Sequence, residues 1–303
     1  MKNSKFYAVV LMANFLIIAS CEKVIKVNLP SLKNELVINS NSEVNQSLSV
    51  NISRSNSLAN HKYNPDLAVY NATVKLFVDG VFTETLTYDS AVGYYSASST
   101  LPGKQYTLRV SAPTYTDADA TITAPSAVHI SNITRIPFAR KDQDGNEQDE
   151  LIVTFSDPPA MGDYYIIKLH SRDDSIGFNI SNFCVNSPDA GIESVANEPI
   201  TGTSCLENTG IFFRDALFNG QQKNLVLYAQ SYNIAPQFNG ADSLFATIEL
   251  IHVPEAYFRY AKSSILANNT NGDPFSEPVN VYTNVNNGLG IFSLISRDSV
   301  VIH

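Results

Sequence analysis

The stretch Thr73-Val74-Lys75-Leu76-Phe77-Val78-Asp79-Gly80-Val81-Phe82 decides the fold class, because a strand pattern runs straight into a two-residue turn. Every second residue, Val74, Leu76 and Val78, is apolar, which is the period of a half-buried β-strand. Asp79-Gly80 is a strong short hairpin signal, since a type I′ turn needs positive φ at both central residues. The stretch therefore predicts an antiparallel β-hairpin.

The same pattern extends over residues 34–125. Leu48–Ile52 alternates between apolar and polar residues, and Phe82–Tyr88 is predicted as the return strand of the hairpin. Pro102-Gly103 forms a turn that leads into another alternating segment. Strands spaced about ten residues apart, with such turns between them, predict an immunoglobulin-like β-sandwich over residues 34–125.

A second, larger β-rich domain is predicted over residues 126–303, with the boundary near Pro125. Its predicted strands are Ile130–Phe138, Leu151–Phe155, Tyr164–Leu169, Asn224–Gln230 and Leu244–Val253.

One segment of this second region breaks the strand pattern. Pro254–Ala267 begins with Pro and Glu and continues with apolar residues at helical spacing. We expect one α-helix near residues 255–267, with Tyr257, Tyr260, Ala261 and Ile265 on its buried face. The predicted fold class is therefore mainly β, with a sandwich first and a larger β-rich domain with one helix second.

The composition excludes some classes of protein. The chain has 303 residues, 44% of them apolar, which is ordinary for a globular protein and argues against general disorder. Lys and Arg number 20 against 29 Asp and Glu, so the net charge is −9. This acidic balance argues against nucleic acid as a partner, because a nucleic-acid-binding surface must be basic.

The N-terminus predicts export and a lipid anchor. Residues 1–20 contain a basic start and an apolar stretch that is too short to span a membrane, as in a secretory signal. Ile18-Ala19-Ser20-Cys21 resembles the lipobox of bacterial lipoproteins, which makes Cys21 the predicted lipidation site and residues 21–33 the anchor and tether. The alternative is an ordinary secretory signal with an incidental cysteine. Removal of residues 1–20 takes away Lys2 and Lys5, so the charge becomes 18 − 29 = −11.

Cys184 and Cys205 remain after the anchor is assigned. In an oxidising compartment the default prediction is a disulfide, which would constrain the unfolded chain by about 3 kcal/mol. The alternative is a metal site or a reactive thiol pair, although the spacing is not Cys-x-x-Cys and no histidine is near.

The usual signatures of catalysis are not found. None of the five histidines lies in a His-Glu-x-x-His motif, and no Gly-x-Ser-x-Gly elbow occurs, so we predict a non-enzymatic protein without a cofactor or metal. A hydrolase triad that forms in the fold stays open as an alternative. The acidic run Asp142–Glu150 is predicted to be a solvated hairpin tip; a loose Ca²⁺ site is the alternative.

Four Asp-Ser pairs are followed by alanine or an aliphatic residue, which resembles the O-glycosylation acceptor of exported Bacteroidota proteins. The candidate acceptors are Ser90, Ser175, Ser243 and Ser299. The alternative is that these pairs are ordinary turn sequences, since Asp and Ser both favour turns.

The C-terminal stretch Asp273–Phe292 resembles the closing signature of a Bacteroidota lipoprotein family, domain of unknown function 4249. Further pieces fit the same pattern in order: Asn71–Val74, Pro102–Val110, Asp157-Pro158-Pro159 before Tyr164-Tyr165, and Tyr257–Tyr260. No catalytic residue can be carried over from this family.

The resemblance implies an outer-membrane lipoprotein, lipid-anchored on either the periplasmic or the cell-surface face. Genes of the family often lie beside those of TonB-dependent transporters. We therefore expect an accessory or ligand-capturing component associated with such a transporter. The alternative is a surface adhesin or a structural envelope protein.

Overall fold

A computed structural model of the chain describes residues 34–56, 66–173, 178–182, 185–193, 210–234, 244–270, 277 and 279–302. Within these ranges the fold is mainly β, and the strands form three sheets. The predicted fold class is confirmed. No helix in the described ranges is both long enough and apolar enough to cross a membrane.

The largest sheet has ten strands, numbered here in chain order. Its spatial order is β14 (Ile192–Glu193), β15 (Ile211–Arg214), β11 (Tyr164–Asp173), β17 (Leu244–Val253), β19 (Leu289–Ile302), β1 (Leu36–Glu43), β2 (Ser47–Arg54), β6 (Gly93–Ser99) and β5 (Thr87–Asp89), with β12 (Phe178–Asn182) also paired to β11.

The two smaller sheets each face one part of this large sheet. One has the order β18 (Val285–Asn286), β8 (Ala118–Thr123), β7 (Gln105–Ser111), β3 (Thr73–Val78) and β4 (Val81–Thr85). The other has the order β13 (Val185–Asn186), β16 (Gln222–Gln230), β10 (Glu147–Ser156) and β9 (Ile130–Lys141).

The hairpin predicted from residues 73–82 is confirmed. Asp79 and Gly80 have φ of 50° and 80°, as the type I′ turn requires, and they join β3 to β4. Val74 and Leu76 are buried in the core of the first sandwich, so the alternation in the sequence does set which face of β3 is inside.

The prediction of one return strand over Phe82–Tyr88 is wrong. The segment forms two strands in different sheets, because β4 pairs with β3 while β5 pairs with β6. Leu86 lies between them and is buried, so the chain crosses from one sheet to the other through the core at this residue. The periodicity alone did not reveal that crossing.

The last strand, β19, joins the two sandwiches. Its first half pairs in parallel with β1, and its second half pairs antiparallel with β17. Gly290 permits the close pairing with β1, because a Cβ at this position would lie 2.2 Å from the carbonyl oxygen of Ile38. The boundary near Pro125 stays a prediction, and the structure adds that Val285–Ile295 lies in the first sandwich.

Each sandwich has its own apolar core. The first is filled from β1, β2, β3, β6, β7 and β8, with Phe292 and Leu294 of β19. The second is filled mainly from β10, β11, β15, β16 and β17, and its large aromatic residues are Phe155, Tyr165, Phe213 and Phe218. Buried and half-buried residues alternate over Leu151–Thr154 of β10 and over Leu225–Gln230 of β16, with Ile152 and Val226 among the half-buried ones.

The predicted helix is present and slightly longer than expected. It runs over Glu255–Thr270, one residue after Pro254, and is the only described helix of seven residues or more. Tyr257, Ala261 and Ile265 pack partly buried against the large sheet, as predicted. Tyr260, which was predicted on the same face, is half-buried and lies beside Tyr257, with 6.5 Å between the ring centroids. The residue that anchors the helix is Phe258, which is 3% exposed and which the prediction omitted.

Candidate functional site

Three aspartates meet at one end of the second sandwich. Asp157 follows β10 and Asp163 precedes β11, so both lie on the single loop 157–163, and Asp215 follows β15 on a second loop. One carboxylate oxygen from each lies within 4.8 Å of the others. We call these three residues the acid cluster.

Asp157 is held by a tyrosine and a backbone amide. Tyr165 Oη donates to Asp157 Oδ1, and the Gly220 N–H donates to Asp157 Oδ2 at 2.8 Å. Tyr165 is fully buried and stacks on Phe213 and on His252, with centroid distances of 5.3 and 5.0 Å. Burial, the bond to Asp157 and the negative charge nearby all raise the pKa of Tyr165, so that it remains a donor.

Asp163 is paired with a buried histidine. His252 Nε2 lies 2.9 Å from Asp163 Oδ1, and His252 Nδ1 lies 2.9 Å from the carbonyl oxygen of Ser126. Both contacts are hydrogen bonds only when both ring nitrogens carry protons, because both partners are acceptors. With both ring nitrogens engaged, His252 has none left to activate a nucleophile as a triad histidine does.

The remaining polar atoms are incompletely satisfied. Asp215 is 3% exposed, and its Oδ2 accepts the Gly162 N–H at 2.9 Å. Asp163 Oδ2 and Asn219 Oδ1 are buried without a hydrogen-bond partner among the described residues. An unsatisfied buried acceptor costs about 1–3 kcal/mol, so this end of the sandwich is not optimised for stability alone.

The electrostatics at Asp157 favour its protonated form. Burial raises the pKa of Asp157; the bonds from Tyr165 and Gly220 oppose this, but the neighbouring Asp163 and Asp215 raise it further, and the net shift is upward. Such a group of carboxylates can share protons or hold a hard cation such as Ca²⁺, which prefers oxygen ligands. Four of the six carboxylate oxygens already have hydrogen-bond partners in the protein: both of Asp157, Oδ1 of Asp163 and Oδ2 of Asp215.

A second buried carboxylate, Asp149, lies inside the acidic run Asp142–Glu150. Asp149 is fully buried and accepts hydrogen bonds from Arg135 Nε at 2.7 Å, the Phe138 N–H at 2.9 Å and the Ser231 hydroxyl. Burial alone would raise its pKa, but the donors of Ser231, Phe138 and Arg135 outweigh it and lower the pKa.

The hairpin tip predicted for this run is therefore confirmed only for its first half. The turn occupies residues 142–146, and its Asp142 Oδ1 accepts the backbone N–H groups of Asp144 and Asn146. The second half belongs to β10, where Gln148 and Asp149 are buried and not solvated. The carboxylates of Asp142 and Asp149 thus already accept hydrogen bonds from the protein, which leaves fewer oxygen atoms free to coordinate a Ca²⁺ ion.

Most of the site residues predicted from the sequence lie outside the described residues. These are Cys21, Cys184, Cys205, Ser175 and Ser243, so lipidation, the disulfide and two glycosylation sites stay predictions. Ser90 is described; it is exposed in the turn between β5 and β6.

Ser299 is also described, and it is exposed on β19 opposite Glu249. Glycosylation at Ser90 and Ser299 stays a prediction as well. The aspartates before the two serines bond differently: Asp89 Oδ1 accepts the N–H of the nearby Ala91, whereas Asp298 Oδ2 accepts the N–H of Ile130, which is distant in the sequence.

The acid cluster was missed by the sequence reasoning. One signal was available, since Asp157-Pro158-Pro159 before Tyr164-Tyr165 had been singled out as part of the family resemblance. Nothing in the sequence links that segment to Asp215 or His252, because these two residues reach it only when β15 and β17 pair with the two sides of β11.

The fold and the site define a mainly β protein whose two sandwiches share one long sheet. The family model described as "Domain of unknown function (DUF4249)" matches residues 22–300. The chain belongs to this family. No curated protein matches the chain significantly in sequence.

Proposed function

We propose that this protein is a lipid-anchored component of the outer membrane that captures a ligand, or assists its capture, beside a TonB-dependent transporter. The observation that carries the proposal is the extent of the family match. It begins at residue 22, directly after the predicted lipidated Cys21, and continues to residue 300. Essentially everything that would follow the anchor is thus one family domain.

The architecture supports a binding module. Two sandwiches with separate cores are joined by β19, so that the large sheet runs through both. A continuous hydrogen-bonded sheet holds surface residues in fixed register, which is the arrangement that a binding surface needs. The polar cluster at the end of the second sandwich is held by hydrogen bonds and carries no free imidazole base.

The experiment is co-purification from native outer membranes. The protein, tagged after His303, is extracted in mild detergent beside a Cys21→Ser variant that cannot be lipidated. A TonB-dependent transporter recovered in near-equal amount with the wild type supports the proposal. A fibre subunit or a host-matrix protein in its place overturns it in favour of an adhesin.

The Cys21→Ser variant tests the anchor separately. We expect the wild type to fractionate with membranes and to carry acyl chains in its intact mass, and the variant to be released or retained as the unprocessed chain. Equal membrane attachment of a processed, unacylated variant would contradict the anchor at Cys21.

A further inference from the structure

The outer face of the five-stranded sheet carries a groove that is remote in the fold from the acid cluster. Its volume is about 240 Å³, and the polar and aromatic residues that line it are Lys75, Phe77, Arg109, Ser111, Asp117 and Asp119. We call it the sheet groove. Its residues come from β3, from β7 and from the start of β8, whose pairing fixes their relative positions.

Two like charges stand directly opposite each other in this groove. Lys75 of β3 and Arg109 of β7 are register partners, and both are exposed. Directly opposed side chains have Cβ atoms about 5 Å apart, and like charges in that position destabilise a sheet. Neither makes an ion pair within 4.0 Å to a carboxylate of any described residue. An anionic group placed between them would remove the repulsion.

The guanidinium of Arg109 is held in place before any ligand arrives. It lies over the ring of Phe77, with 4.5 Å from Arg109 Cζ to the ring centroid, and Phe77 in turn meets Phe82 edge-on at 5.6 Å. A guanidinium stacked on an aromatic face keeps its N–H groups free at the edge, and those groups match the two oxygens of a carboxylate.

The opposite side of the groove is acidic. Asp119 is the register partner of Arg109 on β8, and its Oδ2 accepts a bond from Asn286 Nδ2 at 3.0 Å. Asp117, two residues earlier, is exposed. The groove thus has two cations on one side and two carboxylates on the other, so its charge pattern complements a ligand that carries both signs.

We propose that the sheet groove binds a small zwitterion, a free amino acid or a short peptide. Its carboxylate lies between Lys75 and Arg109, and its ammonium group faces Asp117 and Asp119. The volume is below the roughly 300–1,000 Å³ of pockets for drug-sized ligands, which limits the ligand to this size. The proposal deepens the ligand-capturing role proposed above and rests on it for its biological meaning.

The test is calorimetric titration of the purified full chain with three matched probes. They are glycylglycine, N-acetylglycylglycine, which lacks the ammonium charge, and glycylglycinamide, which lacks the carboxylate. We expect glycylglycine to bind at least tenfold more tightly than either blocked form. Titration with glycine separates the two sources of the zwitterion, because a site for peptides binds glycine more weakly than glycylglycine.

Charge-removing variants assign the binding to the groove. In Arg109→Gln, or in Lys75→Gln if that variant fails to fold, glycylglycine should lose at least fivefold in affinity and should no longer be preferred over glycylglycinamide. In Asp117→Asn the preference over N-acetylglycylglycine should disappear. Lys141→Gln and Asp144→Asn, at the hairpin tip of the second sandwich, remove the same charges elsewhere and should leave all affinities unchanged.

The titration results test the groove independently of the co-purification, which tests the transporter partner. No heat at millimolar glycylglycine, equal binding of the three probes, or equal losses in the control variants overturns the groove as a zwitterion site. If a transporter still co-purifies in that case, the accessory role is supported and the zwitterion is excluded as its ligand. Binding without co-purification would support the groove and contradict the transporter partner.

Discussion

Asp149 lies near the start of β10 and Asp157 directly after its end, and the surroundings shift the pKa values of the two carboxyl groups in opposite directions. Asp149, within β10, accepts bonds from a guanidinium, a backbone amide and a hydroxyl, and its pKa is lowered. Asp157, just after β10, accepts two neutral donors and faces two more carboxylates, and its pKa is raised. Burial is similar at both sites, so the neighbours decide the protonation state.

The comparison teaches where this fold is stabilised and where it is not. At Asp149 the buried charge is compensated, and the same contacts hold the edge strand β9 and the short helix Ser231–Ile234 to the sandwich. At the acid cluster three carboxylates face one another, His252 lies 2.9 Å from Asp163 Oδ1, and the other oxygen of Asp163 is buried with no partner among the described residues. A region that concentrates unbalanced charge is more often retained for function than for stability.

The largest expected effect comes from breaking the compensated site. Asp149→Asn should lower the free energy of unfolding by about 3 kcal/mol, because Arg135 would lose its anionic partner in a mostly buried position. Urea denaturation at pH 7 measures this. Asp142→Asn makes the same chemical change at the solvated turn and should cost far less. Similar losses in the two variants would refute the compensated role of Asp149.

The second effect tests the link between Tyr165 and the acid cluster. Tyr165→Phe removes one hydroxyl from a fully buried site. It should lower the free energy of unfolding, measured by urea denaturation at pH 7, by about 2 kcal/mol, as expected for the loss of a hydrogen bond to a charged acceptor. Tyr106→Phe is the control, because its buried hydroxyl bonds to the backbone at Leu101 and should cost about 1 kcal/mol. Equal costs would mean that Asp157 is neutral at this pH.

The third effect is a difference in pH dependence. Because the pKa of Asp157 is raised in the folded protein, its contribution to the free energy of unfolding is fully present below about pH 4. That contribution is lost as the pH rises through the raised pKa. The lowered pKa of Asp149 has the opposite effect. Its contribution to the free energy of unfolding is fully present above about pH 4 and is lost as the pH falls through the lowered pKa.

The two asparagine variants should therefore differ from the wild type with opposite slopes. From pH 4 to pH 7, Asp157→Asn should gain stability relative to the wild type and should end within about 1 kcal/mol of it, since the lost Gly220 bond is offset by relief of repulsion. Below pH 4, Asp149→Asn should approach the wild type. Unfolding midpoints over pH 2.5–7 measure both slopes, and parallel curves would contradict the comparison.

The smallest effect concerns Phe138, whose backbone is bonded to Asp149. Phe138 has φ of 51° and is 62% exposed, so an aromatic residue occupies a conformation that suits glycine. Phe138→Gly should be more stable than Phe138→Ala by about 0.5–1 kcal/mol, because both lose the ring and only glycine loses the strain. Thermal unfolding of the two variants side by side checks this, and an alanine variant of equal stability would exclude backbone strain.

Local patterns determined much of this protein. The alternation in β3 and β7 fixed which side chains are buried, and Asp79-Gly80 fixed the first hairpin, because both depend on residues within a few positions. The helix after Pro254 was visible for the same reason. The segment Phe82–Tyr88 was not resolved correctly, since a strand that changes sheets at a buried Leu86 has the same alternation as one that does not.

Only the tertiary structure decided the sites. Asp215 lies close to Asp157 and Asp163 because β15 pairs with β11, and Lys75 meets Arg109 because β3 and β7 pair in one particular register. The assignment of Asp149 as a buried, compensated charge depended on Arg135 and Ser231, which approach it from other elements. The two-residue period of a strand determines which of its side chains share a face. Which residues of other strands lie next to them depends on the pairing of distant segments, and local periodicity does not encode that pairing.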